Sequence, residues 1–458
     1  MNAHTHPLYE LTVQALESDL KQMLECGHDE QSLRAELEAA RARQSLDALA
    51  ALQDEWWNRP SPPSFPYDEP DEWDAIAAQL PDPDSHARLE HGDDALADRL
   101  LAAWRGRCSG CQLGKPIEGT TWPEKIRQVL EIVGSWPLYD YMNPVPAGLT
   151  PAELPDCDFF QRGMEWRNRE CRGNFNRVAP DDDIHYTLTS LSTLEQFGPA
   201  FTTEQAMDTI ARVTPLASLW AAGRNMFRTR VFGMHAPHTA LFGNPCRQSL
   251  GGQIRCDAFG WGAPANPALA ARMAYTDARG SQVRNGIYSG MFFAALMADV
   301  LAHGDLRRAL DTATAYVPPR SRFAEMIRLV RGWCDTHSGW EDVNAEIINR
   351  WPGESKQFNH SIPNAAIVIT SLLKGGGKFT ETLGISVMCG LDTDCNGATA
   401  GSIMGCALGT KGVPHHWYEP FNDTIGTSLL GMHTLTITDV ARRTLEVARK
   451  NARTGETK

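Results

Sequence analysis

Residues 390–409 read GLDTDCNGATAGSIMGCALG, in which a single residue separates two aspartates, Asp392 and Asp394. Glycines then recur at four-residue spacing, at Gly397, Gly401, Gly405 and Gly409. Residues four apart lie on one face of an α-helix. Because each glycine in a helix interior costs about 1 kcal/mol relative to alanine, this glycine stripe indicates that another backbone approaches the helix closely.

A second glycine stripe lies in GRCSGCQLG, at Gly106, Gly110 and Gly114. We predict helices over 97–114 and 396–410 at the centre of the domain, with their glycine faces inward, where they can touch each other. Asn396 is a possible N-cap of the second helix. This contact would bring the GKPIEG loop, which carries Glu118, towards the aspartates at 392 and 394.

A second acidic cluster lies in PDDDIHYT, where Asp181, Asp182 and Asp183 precede an amphipathic helical pattern. A single aspartate at this place needs no ligand to explain it, because the unpaired N–H groups of a helix N-terminus stabilise a negative charge. Three in a row repel one another, a cost normally offset by a cation or by full solvation. Two carboxylate clusters that converge from distant helix starts would hold two hard divalent cations such as Mg²⁺.

The rest of the chain predicts an almost entirely α-helical fold, because Ala/Leu/Met-rich segments alternate with Gly/Pro/Asn loops and alternating β-branched runs are scarce. We divide it into an N-terminal helical hairpin over 1–58, a linker over 59–91 and a main helical domain over 92–458. The proline-rich stretch RPSPPSFPYDEP opens the linker, which is expected to contain one short helix. Dimerisation, or packing on the main domain, is favoured over regulation as the role of the hairpin.

The composition limits the range of functions. A net charge of −13 argues against a general surface for nucleic acid or for an anionic membrane. No apolar run approaches the roughly 20 residues of a membrane span. The N-terminus lacks the pattern of a signal peptide, so a cytoplasmic location is expected. Cys108 and Cys111 form an isolated CxxC pair, which we interpret as two small buried thiols.

Taken together, the GxxxGxPxE pattern, the DD pair opening a helix and the DTDxxxAxxGxxxG pattern resemble the ADP-ribosylglycohydrolase family over roughly residues 95–435. The passage GNPCRQSLGGQIRCDAFGWGAPANP, followed by NGIYSGMF, is similar to a bacterial branch of that family. The resemblance implies an all-α fold with two magnesium ions in a central cleft. It also implies cleavage of a glycosidic bond between a ribosyl group and a protein side chain or small acceptor.

The resemblance also implies roles for individual residues. Its metal ligands would be Asp182 and Asp183 for one ion, Asp392 for the other and Asp394 for both. Glu118 falls on a mobile glutamate beside the metals, where it would be the proton acceptor or a gate. Alternatively, Asp392 or Asp394 would act through a coordinated water, and the sequence leaves this open. Gly251, Gly252 and Arg255 fall on the loop that faces the diphosphate.

Four positions depart from the family pattern. Asp181 stands where Thr or Ser usually supplies a hydroxyl ligand, and Cys395 replaces a second hydroxyl ligand although a thiol suits magnesium poorly. Gln282 takes the place of a histidine that contacts the ribosyl unit. Leu250 takes the place of an asparagine on the diphosphate loop. His360, ahead of the NAAIVITSLL helix, is a further residue expected to contact substrate.

Arginines crowd the segment before the second acidic cluster, at Arg162, Arg167, Arg169, Arg172 and Arg177. Such a group can bind phosphate, since guanidinium matches phosphate oxygens bidentately. Glutamates interleave with these arginines, which favours a solvated, salt-bridged surface instead.

The sequence therefore predicts a magnesium-dependent N-glycoside hydrolase, with Mn²⁺ as an alternative ion, that removes ADP-ribose from a protein or a small conjugate. One alternative keeps the metals and takes another ribosyl compound. A second is a non-catalytic binding or structural protein whose hairpin contacts a partner or a second copy of the chain. A metal-dependent phosphohydrolase is disfavoured, because no position for an in-line nucleophile is evident.

Overall fold

The structure is a computed structural model, which describes residues 7–81, 89, 92–146, 148–149 and 167–455. Within these residues the regular structure is helical except for two short strands, β1 (Thr424–Gly426) and β2 (Thr434–Thr436). The strands pair antiparallel, with Ile425 opposite Leu435. The predicted all-α fold class is confirmed.

The N-terminal unit contains three helices, α1 (Pro7–Glu25), α2 (Glu30–Ala42) and α3 (Leu46–Asn58). The expectation of a two-helix hairpin was wrong, because the segment read as one helix breaks between α2 and α3. At the break Gln44 adopts a φ of +54°, and the Ser45 side chain caps α3 by accepting a hydrogen bond from the Ala48 N–H. The three helices share a small apolar core of their own.

The described part of the predicted linker contacts the N-terminal unit, where Arg59 pairs with Glu36 at 2.9 Å, and then the main domain. It contains the expected short helix, α4 (Trp73–Ala77), in which Ile76 is fully buried and joins the core of the main domain. Before this helix, the Glu69 carboxylate forms a buried ion pair of 2.8 Å with Arg322. Residues 82–88, 90 and 91 lie outside the described residues.

The described helices of the main domain surround one continuous apolar core. In chain order they are α5 (Asp93–Gly114), α6 (Pro123–Ile132), α7 (Asp182–Phe197), α8 (Thr203–Val213), α9 (Ala221–Val231), α10 (His238–Leu241), α11 (Gly251–Arg255), α12 (Asp257–Trp261), α13 (Pro267–Ala278), α14 (Asn285–His303), α15 (Leu306–Thr314), α16 (Arg322–Thr336), α17 (Trp340–Arg350), α18 (Pro352–Lys356), α19 (Ser361–Lys374), α20 (Phe379–Met388), α21 (Thr393–Leu408) and α22 (Ile437–Gly455).

Helices α5 and α21 are the central pair, and their glycine stripes face each other. A Cβ atom added to Gly110 would lie 1.9 Å from the carbonyl oxygen of Gly397, and one added to Gly106 would lie 2.0 Å from that of Gly401. The numbering runs in opposite directions along the two helices, so the pair is antiparallel. The predicted close approach of the two backbones is confirmed.

The start of α21 differs from the prediction. The N-cap is Asp392, and the helix begins at Thr393. Asn396 therefore lies inside the helix, where its side chain donates to Asn364 Oδ1 at 2.8 Å. Both aspartates of the DTD motif consequently sit at the helix N-terminus, where the unpaired N–H groups stabilise negative charge.

Helix α14 is long and apolar enough to cross a membrane, which the sequence analysis did not anticipate. Within the protein, 94% of its apolar window is buried, and α13 and α15 pack against it. A core helix of a helical domain has the same composition, because it is covered on all sides.

The N-terminal unit contacts the main domain through buried polar groups. Asp19 of α1 forms an ion pair of 2.6 Å with Arg247, and both side chains are almost fully buried. The next residue, Gln248, donates from its side chain to Glu25 at 2.7 Å. The end of α1 thus holds the segment that leads into α11.

The substitution Gly110→Ala is expected to destabilise the protein by about 3 kcal/mol or more, because the new methyl group would overlap a backbone carbonyl that cannot rotate away. The matched control is Gly332→Ala in α16, where nothing lies within 4 Å of an added Cβ. That control should leave stability unchanged or raise it by up to about 1 kcal/mol. Urea denaturation of both variants measures this, and equal effects would contradict the packing described.

The substitution Asp19→Ala is expected to lower the free energy of unfolding by about 3–5 kcal/mol, since it leaves the buried Arg247 guanidinium without its carboxylate. Glu17→Ala serves as the control, because Glu17 lies on the exposed face of the same helix. Its effect should stay within about 0.5 kcal/mol. Thermal and urea unfolding would disprove the role of the ion pair if the two variants behaved alike.

Candidate metal site

The two acidic segments predicted from sequence meet at one end of the α5–α21 pair. Ligand atoms of Asp183, Asp394 and Cys395 lie within 4.8 Å of one another, and those of Glu118, Asp392 and Asp394 form a second such group. Asp394 belongs to both groups. The helix starts of α7 and α21 thus converge as the sequence predicted, and together they form two adjoining sets of potential ligands.

Several carboxylate oxygens in these sets are buried without any hydrogen-bond partner. They are Asp183 Oδ2, Asp392 Oδ1 and Asp394 Oδ1. The three residues are at most 4% exposed. A buried carboxylate oxygen without a donor is costly, and a cation is the usual compensation.

The pKa values of the acidic residues also indicate that the site requires a compensating positive charge. Burial raises the pKa of Asp183 and of Asp392 well above the usual range, and it raises the pKa of Asp394 to about 6. For Glu118, the charge of Asp394 is the largest cause of a raised pKa, followed by burial. The fully ionised cluster is therefore unfavourable unless positive charge enters it.

Asp181 has both oxygens occupied within the protein. One accepts from Lys115 Nζ at 2.6 Å and the other caps α7 by accepting from the Asp183 N–H at 3.0 Å. Burial acts to raise the pKa of Asp181, but the Lys115 ammonium outweighs it and the pKa is lowered. Asp181 was expected to be a metal ligand. It lies within reach of Asp183 and Cys111, but its charge is already paired.

Two buried cations, neither singled out by sequence reasoning, hold the acidic residues in place. Arg107 is completely buried, donates to Asp183 Oδ1 at 2.9 Å and also pairs with Asp257 at 2.9 Å. Lys115 holds Asp181 and the carbonyl oxygen of Pro180, the latter at 2.7 Å. Their positions beside the glycines of GRCSGCQLGK indicate burial, because a long charged side chain next to a close helix–helix contact has no obvious route to solvent.

A cavity of about 600 Å³ lies over the acidic residues. Asp182, Glu118, Asp392 and Cys395 are among the residues that line it. Asp182, expected as a ligand, is half-buried and lies outside the two groups that share Asp394. Sequence reasoning missed Trp220, which is 56% exposed and also lines the cavity.

Two of the residues predicted to bind substrate line this cavity, Gly251 and Arg255. Arg255 is buried, and its guanidinium pairs with Asp277 at 2.6 Å and lies 5.5 Å from the centre of the Tyr186 ring. Leu250 is also part of the wall. This side of the cavity is formed by the start of α11 together with α7.

Gly252, Gln282 and His360, also predicted to contact substrate, lie behind the cavity wall. A Cβ on Gly252 would lie 2.3 Å from the carbonyl oxygen of Gly286, so this glycine serves helix packing. The Gln282 amide, oriented to donate, reaches the carbonyl oxygens of Ser249 at 3.0 Å and Arg247 at 2.9 Å. These contacts stabilise the cavity wall from the protein interior behind it.

His360 faces the N-terminal unit. Its Nδ1 caps α19 by accepting from the Ile362 N–H at 3.3 Å, and its Nε2 lies 3.8 Å from the Glu25 carboxylate. The side chain is 1% exposed. His360, which was expected to contact substrate, is thus turned towards α1 and is not among the residues that line the cavity.

The arginine-rich segment is only partly a solvated surface. Arg172 is half-exposed and pairs with Asp140 at 3.0 Å, as expected. Arg167 is 7% exposed, and it donates to the carbonyl oxygens of Pro116 at 2.8 Å and Glu118 at 2.7 Å. For Arg167 the surface interpretation was wrong, since it anchors the loop that carries Glu118. Arg162 lies outside the described residues.

The two ligand groups differ in the ions they suit. Glu118, Asp392 and Asp394 offer only carboxylate oxygens, which are the ligands Mg²⁺ prefers. The other group includes the Cys395 thiol, which is a poor ligand for Mg²⁺ and a good one for softer ions. The residues therefore fit magnesium at one position and fit it poorly at the other.

Comparison with known proteins agrees with the resemblance stated above. A family model described as ADP-ribosylglycohydrolase matches residues 92–453. A solved structure described as an ADP-ribosylglycohydrolase-related protein complex is 18% identical, with a TM-score of 0.49, and the match covers 78% of this chain and 99% of that chain. No curated protein matches the sequence significantly. Because the family model spans most of the sequence, the chain belongs to the ADP-ribosylglycohydrolase family.

Proposed function

We propose that this protein is a divalent-metal-dependent hydrolase that cleaves the N-glycosidic bond between an ADP-ribosyl group and a protein side chain or small acceptor. Membership of the ADP-ribosylglycohydrolase family supports a glycosyl hydrolase. The observation that carries the proposal is the set of unpartnered, buried carboxylate oxygens beneath the cavity. A purely structural protein would gain nothing from repelling charges that destabilise its folded state.

Two ions are proposed, with Asp394 shared between their positions. Asp392 completes one set, for Mg²⁺ or Mn²⁺, with Glu118 beside it, and Asp183 with Cys395 completes the other. When bound, such ions orient the hydroxyl groups of a substrate and lower the pKa of a water molecule. Arg107 fixes the Asp183 carboxylate from behind at 2.9 Å, which leaves Oδ2 free for a cation.

Glu118 is the best-placed proton acceptor. It lines the cavity and is half-buried, whereas Asp392 and Asp394 are 4% and 2% exposed. A carboxylate at the cavity surface can contact a substrate or a water molecule directly, which proton transfer requires. Breaking a ribosyl bond also builds positive charge on the sugar ring, which the surrounding carboxylates stabilise.

The opposite wall suits the remainder of an ADP-ribosyl group. Arg255 and the exposed backbone at Gly251 offer donors to phosphate oxygens, and Trp220 at the rim offers an aromatic face for stacking. A simpler ribosyl N-glycoside is the alternative substrate. It is favoured by Gln282, which stands in place of a substrate-contacting histidine but lies behind the wall.

We also propose a cytoplasmic location and no general nucleic-acid or membrane surface, on the basis of the N-terminal sequence and the net charge of −13. A homodimer through the N-terminal unit is also proposed. Exposed apolar side chains on α1 support it, since Leu8 is 52% exposed and Leu11 is 37% exposed.

Mg²⁺ titration by calorimetry is expected to show saturable binding to the wild-type protein. Asp394→Asn should abolish most of the binding, because this carboxylate belongs to both ligand groups. The control is Asp335→Asn, an exposed carboxylate on α16 that should leave binding unchanged. At 100 times the Kd the ion should also stabilise the fold by about 2.7 kcal/mol. A wild type that binds no divalent cation would rule out the proposed hydrolase.

A hydrolysis screen with ADP-ribosylated arginine, ADP-ribosylated serine and simple ribosyl conjugates should identify the acceptor by release of the ribosyl product. Glu118→Gln is expected to lower kcat by about 10²–10⁴-fold, as for loss of a general base. Glu124→Gln, at an exposed position in the first turn of α6, is the matched control and should retain activity. If Glu118→Gln stays fully active, the assigned role of Glu118 is wrong.

A further inference from the structure

Cys395 is a thiol fixed among the carboxylates of the site. It is 5% exposed and lines the cavity. Its Sγ lies within 4.8 Å of ligand oxygens of Asp183 and Asp394. On the other side it packs in an apolar cluster that includes Tyr186 and Met226. The position of Cys395 is therefore set by packing, and its sulfur faces two acidic side chains.

Each of the two carboxylates beside this sulfur has one oxygen without a hydrogen-bond partner among the described residues. Asp183 Oδ2 and Asp394 Oδ1 are buried and accept no hydrogen bond. A thiol is only a weak donor, so it cannot satisfy two carboxylates. Two carboxylate oxygens and a sulfur around one point form a mixed oxygen and sulfur donor set, which soft and borderline cations prefer over Mg²⁺.

We propose that Asp183, Asp394 and Cys395 hold a thiophilic divalent cation of the zinc class, next to the all-oxygen position that takes Mg²⁺. The inference rests on the proposed function and specifies the ions that this function uses. On binding, the Cys395 thiol loses its proton to solvent and the thiolate sulfur becomes the ligand. Three protein ligands with a further position open to substrate form the usual pattern of catalytic zinc.

The spacing fits such an ion. With zinc about 2.3 Å from sulfur and about 2.1 Å from carboxylate oxygen, tetrahedral coordination places the ligand atoms roughly 3.4–3.6 Å apart. The ligand atoms here lie within 4.8 Å of one another. Closure around the ion therefore requires side-chain movements of up to roughly 1 Å, which rotation about side-chain bonds can supply.

Cys111 is the other thiol near the carboxylates, and its surroundings suit a cation less well. It is grouped with Asp181 and Asp183, but both oxygens of Asp181 are already engaged, one by Lys115 at 2.6 Å. The Lys115 ammonium would repel a second cation at this place. Around Cys395, by contrast, the charges that act most strongly on the thiol are acidic, and those of Asp183 and Asp394 are among them.

The test uses the reduced, metal-free full-length protein titrated with Co²⁺, whose thiolate complexes show a charge-transfer band in the near ultraviolet. We expect this band in the wild type and in Cys406→Ser, which alters the other cysteine of α21. It should be lost in Cys395→Ser, while cobalt bound through oxygen still gives its weak visible bands. In parallel, Zn²⁺ affinity should fall by at least about 10–100-fold in Cys395→Ser, with Mg²⁺ affinity retained.

The outcomes separate the inference from the function on which it rests. Cobalt bound to wild type without a charge-transfer band would overturn the role of Cys395 and leave the hydrolase proposal standing. Loss of the band in Cys111→Ser, but not in Cys395→Ser, would overturn it in favour of Cys111. A wild type that binds neither Co²⁺ nor Mg²⁺ would overturn both proposals.

A second measurement uses the wild-type protein, so it does not require that Cys395→Ser folds. Wild-type protein is alkylated with iodoacetamide, with or without metal, and Cys395 is quantified by mass spectrometry against the other cysteines of the same digest. Zn²⁺ should protect Cys395 at concentrations where Mg²⁺ does not. Equal protection by both ions, or by neither, would contradict a thiolate ligand even if Cys395→Ser fails to fold.

Discussion

The contact between the backbones of α5 and α21 is the constraint on which the rest of the structure depends. Side chains are absent along the seam, so the register is fixed by which glycine faces which carbonyl oxygen: Gly110 against Gly397, and Gly106 against Gly401. The same register places Gly114 against Thr393, whose hydroxyl donates to the Gly114 carbonyl oxygen at 2.8 Å. The loop with Glu118 and the DTD motif are thereby brought side by side.

This geometry concentrates negative charge where water is largely excluded. The carboxylates that no basic side chain neutralises are therefore the ones left to bind a cation. Lys115 neutralises Asp181, and Arg107 shares its charge between Asp183 and Asp257. Asp392 and Asp394 are left without an equivalent basic side chain among their hydrogen-bond partners. The folded protein thus holds an electrostatically unfavourable cluster of acidic side chains, which a bound cation would stabilise.

Local pattern was enough to predict the helical class, the glycine seam and the meeting of two acidic helix starts. Four-residue spacing fixes which side chains share a face, and runs of aspartate at helix starts are costly without a partner. The pattern did not separate residues that line the cavity from those one layer behind it. Gly252 and His360 were both expected to contact substrate, yet Gly252 packs on Gly286 and His360 turns to Glu25.

Sequence pattern also failed to predict the burial of one arginine and the position of one helix break. Arg167 lies in a segment with alternating charges, which favours exposure, but tertiary contacts place it under the Glu118 loop. The break between α2 and α3 depends on a single left-handed residue, Gln44, within a sequence of strong helix formers. Such features arise from long-range packing and from one backbone angle, which propensity and periodicity do not encode.

The N-terminal segment supplies charges that the domain matched by the family model needs. Arg247 and Arg322 belong to the stretch that the family model matches, but their carboxylate partners, Asp19 and Glu69, precede it. A fragment cut at residue 92 would lose the acidic half of both pairs, at a cost of about 3–5 kcal/mol for each charge that stays buried. The domain that the family model matches is thus smaller than the packed structure, and residues 7–81 supply the carboxylates that neutralise two of its buried arginines.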